Sequence, residues 1–136
     1  MDLEVTFPGG KRVDAHDKGF TIKTDQTAEN GGEDLEPTPF DLFLASMGTC
    51  AGIYVLSFCQ QRELPTEGIT LAQSMERDPE TGLINRMIID IRVPENFPEK
   101  YRPALVRAAE QCMVKRHVSR GLPEFILKTS VYQSSD

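Results

Sequence analysis

The sequence of 136 residues predicts an α+β fold in a single domain that spans residues 1–136. Two helical segments alternate with groups of short strands, in the order βββ–α–ββ–α–β. Turns containing Gly or Pro separate neighbouring strands, which is typical of antiparallel hairpins. The length suits one domain, since domains commonly run about 100–200 residues. We therefore expect antiparallel sheets packed on two core helices.

The N-terminal region is predicted to form a small antiparallel meander followed by a polar loop. Strands are predicted at Leu3–Phe7, Lys11–His16 and Phe20–Thr24, with Gly-containing turns between them. The loop covers residues 25–37 and is rich in acidic side chains. We interpret these acids as solvated, although a loop of this length beside a buried helix could also line a site.

The segment from Thr38 to Cys59 is predicted to form the central helix. Thr38 suits the N-cap and Pro39 the first helical position, and Asp41 follows the cap by three residues, as in a capping box. Residues 42–61 then carry no charge. The helix consequently has no clear solvent-facing side, and it is expected to end between residues 60 and 63.

A helix this apolar could span a membrane or lie buried in a soluble protein. Polar residues interrupt the run, acids precede it, and neither end carries a cluster of Lys or Arg, so we favour a buried helix and no membrane span. A chain this short can hardly cover one helix on all sides. We therefore predict an obligate homodimer with this helix near the interface, where Gly48 and Gly52 would permit close packing.

The second half of the chain is predicted to contain a hairpin, a helix and a final strand. The hairpin pairs Ile69–Arg77 with Leu83–Val93. The second helix covers roughly Glu99–Ser119, since Pro103 is tolerated in a first turn. Phe125–Tyr132 is predicted to be the last strand.

Composition and charge exclude several classes of function. The chain carries 21 Asp and Glu against 15 Lys and Arg, which argues against nucleic acid and against anionic membrane surfaces as partners. The N-terminus lacks the features of a signal peptide, and three Cys without a disulfide-scaffold spacing suit a reducing cytoplasm. His16 and His117 have no ligand-like spacing to the cysteines, so no metal site is predicted.

The cysteines are the candidates for chemistry. Cys50 and Cys59 are nine residues apart on one helix and point to opposite faces, so they cannot bond to each other. Cys112 shares a face with Leu105 at helical spacing, which places it in the core. Because the two helices should pack together, Cys50 and Cys112 are a plausible facing pair. Buried Cys often acts only as an apolar filler, and we keep that interpretation for Cys59.

The segments TPFDLFLASMGTC and, roughly sixty residues later, AAEQCMV resemble the OsmC/Ohr family. The resemblance covers nearly the whole chain and implies an intertwined α+β homodimer. It also implies thiol-dependent reduction of organic hydroperoxides. Cys50 would be the peroxidatic nucleophile and Cys112 the resolving thiol, and a small thiol or a lipoyl-type dithiol would be the reductant. No metal or organic cofactor is implied.

The chain departs from the best-characterised branch of that family and looks more like a divergent OsmC-like branch. In the former, a Glu follows the helix-initiating Pro and orients an activating Arg. Here Phe40 follows Pro39. Asp41 lies one position on, about 100° round the helix, and is a candidate accessory acid, although a capping role is favoured.

The activating cation has three candidates by position. Arg12, after a Gly-Gly turn, is the best positional match, and Lys11 and Arg116 are the others. Each of the two strand residues is more often simply solvated. Without a neighbouring cation, a buried Cys50 would be mostly thiol at neutral pH.

Two functions from different classes follow. The first is an organic hydroperoxide reductase in oxidative stress protection. The alternative is a non-catalytic dimeric protein that binds an apolar or thiol-containing small molecule in the interface cleft. A structural module with inert cysteines ranks last.

Overall fold

The computed structural model describes residues 2–131 and has an α+β architecture. The helices and strands are, in chain order, β1 (Glu4–Gly9), β2 (Arg12–Asp17), β3 (Phe20–Thr24), α1 (Pro39–Gln61), β4 (Thr70–Arg77), β5 (Ile84–Arg92), α2 (Arg102–Ala109) and α3 (Met113–Ser119). Strands β1, β2 and β3 form one antiparallel sheet in that order, and β4 pairs with β5 in a second. The predicted fold class, the meander and the hairpin are therefore confirmed.

The first sheet has an apolar face that stays open within residues 2–131. Val5, Ala15 and Ile22 are aligned across the three strands, so their side chains share a face. Phe20 lies two residues before Ile22 and shares that face. Val5, Phe20 and Ile22 are all exposed. We call these four residues the N-terminal apolar face, and an open face of this kind typically marks a contact surface.

The loop between β3 and α1 is organised around a buried carboxylate. Asp25 is 1% exposed and accepts backbone N–H bonds from Gln26, Glu33 and Leu35 at 2.7, 3.2 and 3.2 Å. Its own N–H donates to the carbonyl of Pro37, which closes the loop just before α1 begins. The expectation that the acids of this loop are all solvated is therefore wrong for Asp25.

Asp25 should make the stability of the protein depend on acidity. Burial raises the pKa of Asp25, but hydrogen bonds from Gln26, Leu35 and Glu33 and the charge of Arg12 outweigh it, so the pKa is lowered overall. A carboxyl with a lowered folded-state pKa stabilises the fold above its unfolded pKa, and that stabilisation is lost as pH falls through the folded pKa. We expect the melting temperature of wild type to fall more steeply than that of Asp25→Asn as pH drops below about 4, the ordinary aspartate pKa.

A matched control for this prediction is Asp34→Asn in the same loop. Asp34 is exposed and accepts one N–H bond, from Ala28. It should retain the wild-type dependence of melting temperature on pH. Equal pH dependence in wild type and Asp25→Asn would contradict the structural role of the Asp25 carboxylate.

Helix α1 begins as predicted but is only partly covered by its own chain. The Thr38 hydroxyl accepts the Asp41 N–H, and the Asp41 carboxylate accepts the Thr38 N–H, which completes the capping box. Three of its residues are buried, at positions 51, 55 and 59, whereas Ile53 is 52% exposed. Among residues 2–131, α1 is the one helix long and apolar enough to cross a membrane by length and composition.

Two glycines of α1 have different surroundings. A Cβ at Gly48 would lie 2.5 Å from Oε1 of Gln73 on β4. The Gln73 amide is held in place, because its Nε2 donates to the carbonyl of Leu44 at 2.9 Å. Within the described part of the chain, no atom lies within 4 Å of a Cβ at Gly52. Gly48 thus packs closely against a side chain of β4 of its own chain, whereas the space beside Gly52 is open within one chain. Close packing of the two glycines at a dimer interface stays a prediction.

Substituting the two glycines should have different effects on stability, because their environments differ. Alanine stabilises a helix interior by roughly 1 kcal/mol relative to glycine. At Gly48 that gain should be offset by displacement of Gln73 from its hydrogen bond, which is worth about 1 kcal/mol. We expect the free energy of unfolding of Gly52→Ala to be about 1 kcal/mol higher than that of Gly48→Ala, as measured by denaturant titration. The double variant Gly48→Ala with Gln73→Ala is the control. If Gly52→Ala is the less stable variant, a second chain packs against Gly52.

The predicted second helix is not continuous. A single 3-10 turn precedes α2, which ends at Ala109, and Cys112 has an extended backbone (φ −48°, ψ 124°) before α3 starts. The placement of Cys112 inside a helix is therefore wrong. Its sulfur accepts the Lys115 N–H at 3.4 Å, so it lies at the N-cap position of α3. No Gly or Pro marks this break in the sequence.

The predicted last strand is not formed within the described chain. Residues 121–131 have no regular secondary structure, and Tyr132 lies outside the described residues. The segment pairs with neither of the two described sheets. Its apolar side chains are exposed, Leu127 to 94%. A β-strand needs a neighbouring strand to satisfy its backbone groups, and within residues 2–131 this segment has none beside it.

Candidate functional site

The structure brings Cys50 and Cys112 together, as the sequence predicted. Cys50 projects from the middle of α1 and is partly exposed, whereas Cys112 is 2% exposed. Both are free thiols, and they lie close enough for each to shift the pKa of the other. Their elements meet because α1 packs against both α2 and α3. The site therefore pairs an accessible sulfur with a buried one.

The surroundings of Cys50 favour its thiolate. Burial raises the pKa of Cys50, but hydrogen bonds from the Cys112 thiol and from the backbone N–H groups of Val114 and Met113 outweigh burial and lower it. These donors come from Cys112, at the break between α2 and α3, and from the first two residues of α3. Donors aimed at the charged form of a group stabilise that form. Among residues 2–131, the contributions that lower the Cys50 pKa come from these donors and from no Lys or Arg.

The pKa of Cys112 is shifted in the opposite direction. Burial raises its pKa, and its hydrogen bond to Cys50 and the charge on Cys50 raise it further. The N–H groups of Lys115 and Val114 oppose this shift without cancelling it. Of the two thiols, Cys50 is therefore the one that loses its proton first, which makes it the better candidate nucleophile.

Cys59 belongs to the core. It is fully buried among Val55, Phe97 and Leu105. Burial raises the pKa of Cys59, although the charge of Arg62 acts against this. A buried thiol with a raised pKa is inert, which agrees with the interpretation of Cys59 as an apolar filler.

The described contacts of Arg12, Lys11 and Asp41 are with residues other than the cysteines. Arg12 donates to the carbonyl of Gly9 at 3.4 Å and acts electrostatically on Asp25. Lys11 lies beside the loop glycine at position 31. Arg116 is exposed on α3. The activating role of Arg12 therefore stays a prediction. So does an accessory role for Asp41, whose carboxylate accepts the N–H of the helix cap.

A mainly apolar cleft of about 950 Å³ is lined in part by Cys112. Helices α1 and α2 and strand β5 form its walls, and Met47, Met87 and Leu105 are among the apolar side chains that line them. Charged groups lie along it, including Arg102 and Lys115. Its volume falls in the range typical of ligand-binding pockets, about 300–1,000 Å³. Within residues 2–131, no cluster of His, Cys, Asp and Glu could hold a metal ion.

The sequence did not reveal the donors that face Cys50. Met113 and Val114 contribute only backbone N–H groups, and any residue type except Pro would supply these. These groups can face the two sulfurs because the chain breaks at Cys112 and the first N–H groups of a helix have no partner within it. The sequence would predict these donors only if Cys112 were recognised as an N-cap. Cys is not among the preferred N-cap residues, so the sequence gives no such indication.

Comparisons with known proteins agree with this architecture. The family model for the OsmC-like protein matches residues 31–125. Similar solved structures include a Psychrobacter arcticus protein named for osmotic stress induction and a detoxification response (21% identity, covering 84% of this chain and 85% of that one, TM-score 0.71). An Aquifex aeolicus hypothetical protein follows (18%, 89% and 88%, TM-score 0.66). Comparison with curated proteins gives no match.

A third similar structure has a more specific name. It is the organic hydroperoxide resistance protein OsmC of Legionella pneumophila, also described as a predicted redox protein (18% identity, covering 86% of this chain and 87% of that one, TM-score 0.54). At these identities the structural likeness establishes the fold. The matched family region includes both Cys50 and Cys112.

Proposed function

The chain belongs to the OsmC-like protein family, and from this premise we propose that it is a thiol-dependent reductase of organic hydroperoxides that acts in oxidative stress protection. Cys50 is the nucleophile and Cys112 the resolving thiol. The observation that carries the proposal is the placing of a partly exposed thiol, Cys50, beside a buried one, Cys112. The pKa of the accessible thiol is lowered and that of the buried thiol is raised. The name of the Legionella protein supports the same class of substrate.

The reaction proceeds in two covalent steps on this chain. The Cys50 thiolate attacks one oxygen of the hydroperoxide, the O–O bond breaks, and the alcohol leaves with a proton while Cys50 becomes a sulfenic acid. Cys112 then loses its proton and attacks the Cys50 sulfur, which forms a disulfide and releases water. A dithiol of low molecular weight, such as a lipoyl group, returns two electrons and two protons. Two thiols and one hydroperoxide thus yield one disulfide, one alcohol and one water.

Access and proximity support this order of events. Hydroperoxide can reach Cys50 because its side chain is partly exposed, while Cys112 beside it is buried. The lowered pKa of Cys50 also makes it the better leaving group when a reductant attacks the disulfide at Cys112.

The proposal is tested by adding one equivalent of an organic hydroperoxide to the reduced protein and mapping the product by peptide mass spectrometry. We expect rapid loss of two thiols and a Cys50–Cys112 disulfide, with Cys59 unmodified. Hydrogen peroxide at the same concentration should react more slowly, given the apolar surroundings. Slow oxidation that does not distinguish Cys50 from Cys59 would refute the peroxidase function.

The cleft supports a second candidate, a non-catalytic protein that binds an apolar or thiol-containing small molecule. It is large and mainly apolar, and no cation lowers the Cys50 pKa within the described chain. Binding would raise stability by RT ln(1 + [L]/Kd) and would survive Cys50→Ser. A panel of fatty acids and small thiols, read by thermal shift, tests this candidate. No shift with any of them would leave the peroxidase as the single candidate.

We further infer that the active form is a homodimer in solution. The N-terminal apolar face, one side of α1 around Ile53, and residues 122–131 all expose apolar side chains in one chain. Proteins of this family are generally soluble and dimeric. A second copy is the occupant that would cover all three surfaces, since the interface of a symmetric dimer covers the same patch on both chains. A cytoplasmic location remains a prediction.

A further inference from the structure

The mainly apolar cleft has a methionine in each of two facing elements. Met47 lies on α1, three residues before Cys50, and Met87 lies on β5. Both side chains are partly buried, and both line the cleft together with Cys112. We call Met47 and Met87 the cleft methionines. Residues three apart on a helix are neighbours on its surface, so Met47 lies beside Cys50 on α1. A molecule in the cleft therefore meets thioether sulfur as well as the cysteine pair.

The sulfur of Met87 is held in place from the neighbouring strand. Nε2 of Gln73 on β4 donates to this sulfur at 3.4 Å and to the carbonyl of Leu44 on α1 at 2.9 Å. A thioether is a weak acceptor, and this bond engages one of its two lone pairs. The second lone pair is left for an oxidant.

Two further methionines lie outside the walls of the cleft and are more exposed. Met75 on β4 is 38% exposed, and Met113 at the start of α3 is 47% exposed. Neither is among the residues that line the cleft. We call them the outer methionines. An oxidant that arrives from bulk solvent should attack the outer methionines first, because susceptibility to oxidation follows exposure. Faster oxidation of the cleft methionines would require an oxidant that binds in the cleft.

We propose that Met47 and Met87 are oxidation sites for organic hydroperoxides held in the cleft, which gives the protein a second, stoichiometric reaction besides the cysteine cycle. The methionine sulfur attacks one oxygen of the hydroperoxide and the O–O bond breaks. That oxygen stays on sulfur as a sulfoxide, and the alcohol leaves with the proton of the hydroperoxide. One thioether and one hydroperoxide thus yield one sulfoxide and one alcohol. The inference rests on the proposed function, because it takes the same class of substrate.

The reaction changes the character of the cleft. Its walls are mainly apolar, and a sulfoxide is polar, so each oxidation makes the cleft less suited to an apolar molecule. Prolonged exposure to hydroperoxide therefore limits the later use of the cleft.

The test compares the four described methionines within one sample. Cys50→Ser protein, which lacks the proposed nucleophile, is incubated with cumene hydroperoxide or with hydrogen peroxide. Sulfoxide at each methionine is followed over time by peptide mass spectrometry. Wild type without reductant is treated in parallel, because its cysteines oxidise once and further oxidation then falls on methionine. In a second series, cumyl alcohol is added as a molecule of similar shape that does not oxidise sulfur.

With cumene hydroperoxide, we expect the cleft methionines to oxidise at least about fivefold faster than Met113, since a bound oxidant has a high effective concentration at the sulfur. Their rates should level off as the hydroperoxide concentration rises. Cumyl alcohol should slow them and leave the outer methionines unchanged. With hydrogen peroxide, which has no apolar group to bind the walls, the outer methionines should oxidise first.

Oxidation in the order of exposure with both oxidants would overturn the proposal, and so would cleft oxidation that cumyl alcohol does not slow. The wild-type digest also reports the disulfide between Cys50 and Cys112, so the two proposals can fail separately. Sulfoxide at the cleft methionines without this disulfide would support the oxidation sites and refute the peroxidase function. The disulfide without preferential oxidation of the cleft methionines would refute the oxidation sites alone.

Discussion

Cys50→Ser is expected to lower hydroperoxide reduction by at least about a thousandfold, because a serine hydroxyl is not ionised at neutral pH and has little nucleophilicity without a base. No other thiol can take over. Cys112 is buried with a raised pKa, and Cys59 is fully buried in the core. The measurement is consumption of an organic hydroperoxide under steady supply of a dithiol reductant.

The controls for this prediction are two further cysteine variants. Cys59→Ser should keep turnover, since its side chain lies in the core away from the site. Cys112→Ser should react once with hydroperoxide and then accumulate a Cys50 sulfenic acid, which a dimedone probe detects. Residual turnover of more than a few per cent in Cys50→Ser would contradict Cys50 as the nucleophile.

The order and type of the elements could be predicted from the sequence because local signals agreed with the final fold. The capping box at Thr38 and Asp41 and the alternation in β4 and β5 are encoded by neighbouring residues. The meeting of Cys50 with Cys112 followed from the packing of the two apolar helical segments. Features of this kind need no knowledge of distant parts of the chain.

The features that were missed depend on tertiary context. The break at Cys112 has no helix-breaking residue, and it is stabilised by a sulfur cap and by contact with Cys50. The burial of Asp25 depends on three N–H groups that a loop gathers only when folded. The segment that ends the described chain has the composition of a strand, but a strand forms only beside a neighbouring strand, and this segment lies beside neither sheet of the described chain.

Ile53→Lys is expected to weaken the dimer and to raise its dissociation constant Kd at least about a hundredfold. Ile53 is 52% exposed on α1 of one chain, and burial of such a side chain contributes about 1.5–3 kcal/mol. A two-fold interface contains the substitution twice, so the loss is doubled and the two charges add a desolvation cost. Sedimentation velocity at several protein concentrations measures the change. Gln60→Lys, an exposed polar position near the end of α1, is the matched control and should remain dimeric.

The small core of one chain makes a second consequence of this dimer testable. Among the described residues, the buried apolar side chains are Ala51, Val55, Cys59, Phe97, Leu105 and Cys112. A core of this size buries too little apolar surface to stabilise a domain of 136 residues on its own, so folding should be coupled to association. The melting temperature of wild type should therefore rise with protein concentration, and that of Ile53→Lys should be lower at every concentration. A wild-type melting temperature independent of concentration, with Ile53→Lys equally stable, would mean that α1 does not lie at the interface and that something other than a second copy covers its apolar side.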